Sequence, residues 1–413
     1  MSQKFFTKEN ERLVFILVTM FLNFLGFSIL FPILPFMVER YVTSPNEVAL
    51  YVGSLLSVYA LCQFFSAPGL GALSDRFGRK PILLISLLGS IVGYIILGIG
   101  GALWVLFLGR IIDGLTGGNI STIYAYMADI TEPRDRGKYF GMLGAAAGFG
   151  MMFGPAIGGF LGAIHLSAPL FIAAGITLVD MLFGYFILPE SLAHEHRTAK
   201  LDLTHLDPFR QFHHIFTTKI LARLFTAGFI FFLAMNAMYG NNSIFLKDVY
   251  GWGVTQIGIF LFVIGIIDVF SQGFLIRKLL PKFGDTTVAT MGLILTIVGF
   301  VIAATAAIII SPALVITGLI ILNIGDGLFE PTEASLISTS AGREMQGRVQ
   351  GANQGMQSIA RIVGPFFAAW IYRYWRGLPY ASEALLVSAS LILLLISLSV
   401  IRDHKAQMEK IEH

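Results

Sequence analysis

Over 413 residues the chain is 55% hydrophobic and only 13% charged, with a mean hydropathy of +0.76. A soluble domain carries about 25% charged residues, so this composition excludes one and points to the bilayer. The net charge of +3 says little as a total; with no basic face outside the short loops, nucleic-acid binding has no support, and one cysteine excludes an internal disulfide.

Twelve apolar runs reach the roughly 20 residues that a membrane-crossing helix needs. In lipid such runs are helical, because each segment must satisfy its own backbone polar groups. The first, about 13–38, has its polar position at Asn23 and no acid before Glu39. It is too long for a cleaved leader and lacks a small-residue cleavage site. The second, 48–73, contains Cys62, read as a small buried apolar residue. It runs into GALSDRFGRKP at 71–81, where Asp75, Arg76, Arg79 and Lys80 share a short glycine-bearing turn before the third run, 82–101. One acid beside three bases in that setting reads as a loop that grips and releases. The fourth run, 103–127, carries Arg110 and Asp113, spaced to pair on one helix face. The fifth, 139–164, is thick with glycine and alanine, which lets helices approach closely or hinge. The sixth, 168–188, holds Asp180.

The longest polar segment follows, and it divides the chain into 1–189, a linker at 190–219, and 220–413. The linker's LDPFRQFHHIF reads as a tether, or as a cytoplasmic interfacial helix. The seventh run, 220–246, precedes an eighth, 253–276, with the isolated acid Asp268, and a ninth, 286–310. The tenth, 312–339, places Asp326, Glu330 and Glu333 at i, i+4 and i+7, three acids on one helical face. Three such carboxyls in lipid cannot all stay ionised cheaply, which favours a bound proton. Pro331 interrupts the backbone ladder beside them. Arg361 lies in the eleventh run, 349–372, and the twelfth is 380–401.

Alternate loops counted from the N-terminus hold 22 of the 28 basic residues, which puts both termini in the cytoplasm. The halves also repeat. LGSIVGYII at 88–96 recurs as ILTIVGFVI at 294–302. Gly137, Gly141, Gly154 and Pro155 recur as Gly347, Gly351, Gly364 and Pro365, and Asp113-Gly114 as Asp326-Gly327. Parallel repeats of six helices are the mark of a carrier that rocks around a midplane site. The expected fold is therefore all-α, twelve transmembrane helices in two six-helix bundles.

These motifs carry a resemblance. GALSDRFGRKP resembles the loop motif between helices two and three of the major facilitator superfamily. LGRIIDGLTGG at 108–118 resembles its helix-four arginine motif, and GPAIGGFLG at 154–162 the helix-five motif of proton-driven exporters. GRIIDGLTGGNISTIYAYMADIT (109–131) and QGRVQGANQGMQSIARIVGP (346–365) are similar to the tetracycline/proton antiporter-like drug exporters. Many such relatives carry an acid in mid-helix one where Asn23 stands here, so the proton carrier is expected elsewhere. Asp113 stands where relatives often have a neutral residue.

The resemblance makes helix eleven the helix that Asp75 caps; Arg79 is placed to pair with Asp129, Arg136 is a further candidate partner, and these groups with Arg76 read as a gate. The resemblance implies a proton-coupling role for Arg110, in the place of the family's helix-four arginine. Asp113 is read from its spacing as a switchable partner of Arg110, and the helix-ten acids Asp326, Glu330 and Glu333, with Arg361, are read from their shared face as the proton-carrying set. The resemblance also implies a cavity lined from helices one, four, seven and ten, here by Asn23, Asn119, Tyr124, Phe232, Asn236, Tyr239 and Asn242. Asp180 and Asp268 are further intramembrane acids without an assigned role. The implied activity is proton-coupled antiport that exports amphipathic drug-like molecules from a bacterial plasma membrane. The alternative is a proton-coupled carrier of a metabolite, siderophore or lipid. No enzyme chemistry, cofactor or metal is expected; the partners are a small molecule, protons and the bilayer, and the chain is expected to act as a monomer.

Overall fold

The computed structural model describes residues 8–197, 219–341 and 345–412, and every regular element among them is helical. The chain forms two compact units. One holds the described residues up to 197 together with Trp252–Gly265; the other holds 219–251 and the described residues from Ile266 onward. Most of the linker, including LDPFRQFHHIF, lies outside the described residues.

In the first unit, α1 (Lys8–Ser28) and α2 (Leu30–Val38) together make the expected first crossing. They break at Ile29 because Pro32 has no N–H and its ring crowds the carbonyl four residues back, that of Ser28. α3 (Pro45–Phe77) and α4 (Arg79–Ile99) follow. α5 (Leu103–Thr116) and α6 (Ile120–Ile130) are separated by a 3₁₀ turn at Gly117–Asn119, so the expected fourth helix is broken in its middle. Two consecutive glycines weaken the helix there, and both lie close against α3, at Tyr59 and Ala67. α7 (Arg136–Ile164) and α8 (Ala168–Ile187) complete the set.

The glycines of α7 form a packing groove. Gly150, Gly154 and Gly158 recur every fourth residue, and a Cβ on each would strike the backbone of Phe21, Leu25 and Ile29 in turn. The sequence reading of helix five as a close-packing surface therefore describes its contact with α1 and α2.

The second unit comprises α9 (Lys219–Tyr250), the end of α10 (Val254–Phe270), α11 (Ile276–Ile309), α12 (Pro312–Ser340), α13 (Gln346–Tyr372) and α14 (Leu378–Glu412). A π-helical turn, Ser271–Leu275, joins α10 to α11. The expected boundary between the eighth and ninth runs shifts. Helix continues past 276, and the direction changes at Gly284, whose φ of 73° suits glycine alone.

The repeat read from sequence has a structural counterpart inside each unit. Gly93 of α4 lies against the Gly109 carbonyl of α5, and Gly299 of α11 lies against the Gly318 carbonyl of α12. Gly154 packs on α1 at Leu25, as Gly364 packs on α9 at Asn236 and Ala237. Among the described residues nine helical segments are long and apolar enough to cross a membrane. Large apolar side chains such as Trp104, Val179, Phe186 and Leu385 point outward, as a lipid-facing surface requires.

Candidate functional site

Three buried polar clusters stand out, two in the first unit and one in the second. The first forms where α3 meets α4. The stretch read as an 11-residue turn is almost entirely helical: Asp75 and Arg76 close α3, Arg79 opens α4, and Gly78 alone intervenes with φ 104° and ψ 159°. Arg79 is 8% exposed and makes the central contacts. Its Nη1 donates to Asp75 Oδ1 at 2.5 Å and to Ser74 Oγ at 2.6 Å, and its Nε to Asp129 Oδ2 at 3.3 Å. The expected Arg79–Asp129 pair is thus present. Arg136 instead donates to the Ala128 carbonyl at 3.2 Å, and the Arg76 guanidinium lies 5.2 Å from the Phe77 ring centroid.

Glu190, just after α8, was not singled out from sequence. Its Oε1 accepts from the Arg79 backbone N–H at 2.8 Å and its Oε2 from that of Lys80 at 3.2 Å. A carboxylate on the free amides of a helix start satisfies orphan donors and meets the positive end of the dipole. Ser191 Oγ adds a bond to Asp129 Oδ2 at 2.9 Å. Only the fold brings a residue 111 positions away onto these amides.

The second cluster surrounds Arg110, which is wholly buried. Its Nη1 reaches Asp113 Oδ2 at 3.4 Å, its Nε donates to the Leu55 carbonyl at 3.3 Å, and its guanidinium stands 4.0 Å from the Tyr59 ring centroid. The expected pair is real, and Tyr59 of α3 supplies a cation–π face that sequence spacing did not reveal. Asn119, in the 3₁₀ turn, is 1% exposed and neither of its amide atoms has a hydrogen-bond partner among the described residues. Asn23 donates to the Thr19 carbonyl at 2.8 Å, and Tyr124 packs edge-on against Phe140. Asp180, read as isolated, accepts from Thr19 Oγ1 at 2.9 Å.

The third cluster is the acid set of the second unit. Tyr239 Oη donates to Asp326 Oδ2 at 3.2 Å, which ties this expected cavity residue to the acid set. Asp268, also read as isolated, belongs here too. It lies within electrostatic reach of Asp326 and Glu330, and Gln272 of the π turn holds its Oδ1 at 2.9 Å. Arg361 lies within electrostatic reach of Glu330, so its expected partnership is with that acid. Glu333 packs over Gly228 of α9 and accepts from Asn353 Nδ2 at 3.1 Å. Phe232 and Asn236 share the Tyr239 face of α9 at helical spacing, with Asn236 donating to the Phe232 carbonyl at 2.8 Å.

Sequence reasoning also passed over Glu383 in the twelfth run. It is fully buried on α14, and neither carboxyl oxygen has a hydrogen-bond partner among the described residues. One turn earlier, Tyr380 Oη donates to Asn242 Oδ1 at 3.2 Å. The available signal was the one used for the other acids, an ionisable residue inside an apolar run. Among the described residues no group of histidine, cysteine and acid side chains has the geometry of a metal site.

Comparison with known proteins agrees with this architecture. The family profile described as the Major Facilitator Superfamily matches residues 16–365. The class C tetracycline resistance protein of Escherichia coli is 35% identical over 92% of this chain and 95% of its own length. The class H protein of Pasteurella multocida is 31% identical over 93% of this chain and 95% of its own. Multidrug resistance protein 2 of Bacillus subtilis is 27% identical over 88% of this chain and 89% of its own. Among solved structures, a D-xylose-proton symporter superposes with a TM-score of 0.73 at 16% identity, covering 93% of this chain and 96% of that one. At that identity the likeness speaks for the fold alone.

Proposed function

Because the chain belongs to the major facilitator superfamily, a family of multi-pass membrane transporters, we propose that it exports amphipathic drug-like molecules by proton-coupled antiport. The observation that carries this reading is the acid set of the second unit. Asp268, Asp326 and Glu330 stand within electrostatic reach of one another, with Tyr239 on Asp326 and Arg361 near Glu330. Charged groups inside a membrane cost about 2.5–3.5 kcal/mol each at a helix centre and are kept where they work. Carboxyls crowded together take up and release protons in a coupled way, which is what exchange against a proton requires. The names of the relatives, tetracycline resistance and multidrug resistance proteins, support the drug-like substrate class. With Asn23 in place of a helix-one acid, the coupling role falls on these groups and on Arg110 with Asp113.

The same reading has twelve crossings in two bundles of six, joined by the 190–219 linker, with both termini cytoplasmic. Nine segments qualify by length and hydropathy. Val254–Ile309 spans 56 residues, enough for two. The broken α5–α6 helix and the more polar α13 supply the others. The Arg79 network, with Asp75, Arg76, Asp129 and Arg136, acts as the cytoplasmic gate. Asn119, Asn23, Tyr124, Phe232, Asn236 and Asn242 line the substrate path.

The deciding experiment uses proteoliposomes with an internal pH dye and a panel of amphipathic cations, tetracyclines and organic anions. A substrate of the proposed class moves protons in the opposite direction to itself. Asp326→Asn and Glu330→Gln are each expected to slow that exchange at least tenfold. Undiminished proton-driven exchange in both variants would remove the acid set from the mechanism.

A further inference from the structure

A surface groove runs between α4 and α8 at the end of the first unit that carries the Arg79 network. Pro81, Leu84, Ile85 and Leu88 of α4 form one wall, and Leu182 and Tyr185 of α8 the other. Its volume is about 490 Å³, within the ~300–1,000 Å³ of single-ligand sites. Almost no polar atom faces it. Ile85, Leu88, Leu182 and Tyr185 remain 55%, 49%, 44% and 59% exposed, so α4 and α8 do not fill it themselves.

Lys80 stands beside the groove, next in sequence to Pro81 and in contact with Tyr185. Lys80 Nζ donates to the Tyr185 carbonyl at 2.8 Å and lies 5.8 Å from the Tyr185 ring centroid. An ammonium has three donors; one is spent on that carbonyl, which fixes the group at the groove mouth and leaves two. Tyr185 is a ring with an apolar body and a polar tip, the type that settles at headgroup depth. Glu190 is bound by the backbone amides of Arg79, Lys80 and Leu192, and Asp75 by Arg79, rather than by the Lys80 ammonium. The Lys80 ammonium is therefore left to meet an anion that enters the groove.

We propose that this groove is a binding site for one anionic phospholipid, with an acyl chain along the α4–α8 walls and its phosphate on Lys80. A water-soluble anion has no use for the apolar walls, and a neutral lipid forgoes the ammonium. Lys80 and Arg79 are adjacent, and their amides share the Glu190 carboxylate. Lipid occupancy therefore bears directly on the position of the α4 start within the Arg79 network.

Native mass spectrometry of the purified full-length chain tests the site. The protein is incubated with equimolar palmitoyl-oleoyl phosphatidylglycerol and phosphatidylcholine, and the first retained lipid is identified. One well-placed ammonium is expected to favour phosphatidylglycerol about fivefold. Lys80→Gln is expected to abolish that preference, and Lys80→Arg to keep it. Ile85→Trp, which fills the groove from an exposed position, is expected to reduce retention of both lipids. Equal retention of the two lipids by the unaltered protein overturns the proposal. So does a Lys80→Gln protein that keeps the preference, or an Ile85→Trp protein that holds both lipids as before.

Discussion

Arg110 shows how much a single residue in the membrane interior depends on its partners. Its guanidinium is bound to Asp113, to the Leu55 carbonyl and to the Tyr59 ring. Removing one partner of a buried pair costs about 3–5 kcal/mol because the other charge is left uncompensated, whereas replacing both with apolar groups is often neutral. Arg110→Leu is therefore expected to lower thermal stability in detergent severely, and Arg110→Leu with Asp113→Leu to recover most of it. If the pair also serves coupling, the double variant stays folded and does not transport. Stability and transport rate measured on the same preparations separate the two roles. Glu383 poses the opposite case. An ionised carboxyl with no donor in its surroundings costs several kcal/mol. Glu383→Gln keeps the shape and cannot carry charge, so it is expected to leave the melting temperature unchanged or to raise it. A marked fall would show that the carboxyl has a charge partner.

At the scale of the element, α7 carries the clearest consequence. Gly150, Gly154 and Gly158 meet backbone of α1 and α2, which cannot rotate away as a side chain can. Overpacking a tight contact costs about 1–3 kcal/mol even where side chains adjust. Gly154→Val is expected to exceed that and to cut the yield of folded protein sharply. Gly148, on the same helix, has nothing among the described residues within 4 Å of an added Cβ, and Gly148→Ala is expected to be silent or slightly stabilising. Comparing the two in a thermal unfolding series distinguishes specific packing from general glycine flexibility. The helix ends matter equally. The 71–81 stretch reads as a loop by composition, yet only Gly78 leaves the helix, because Glu190 provides α4 with a cap.

For the whole molecule, the proposed topology places the α2–α3 connection outside and the α6–α7 connection inside. Thr43 and Glu132 are exposed residues in these connections. In a Cys62→Ser background, Thr43→Cys is expected to react with a membrane-impermeant maleimide in intact cells. Glu132→Cys is expected to react only after permeabilisation. The reverse pattern would invert the topology, and labelling of both from outside would break the alternation on which twelve crossings rest.

Composition and hydropathy were enough to establish a multi-pass helical membrane protein, because lipid offers no partner for an unpaired backbone and leaves the chain few alternatives. Duplicated motifs suggest two related halves, and the quoted residues were enough to place the chain in its superfamily. The pairs Arg79–Asp129 and Arg110–Asp113 were also legible, the first from charges at helix ends and the second from helical spacing. Tertiary structure decided the rest. Asp268 and Tyr239 join the helix-ten acids, Asp180 meets Thr19, and Glu190 caps a helix more than a hundred residues earlier in the chain. Spacing along a chain reports which side chains share a face of one helix. Which faces of different helices meet depends on close glycine contacts, a 3₁₀ turn and a π turn, whose effects appear only once the helices pack.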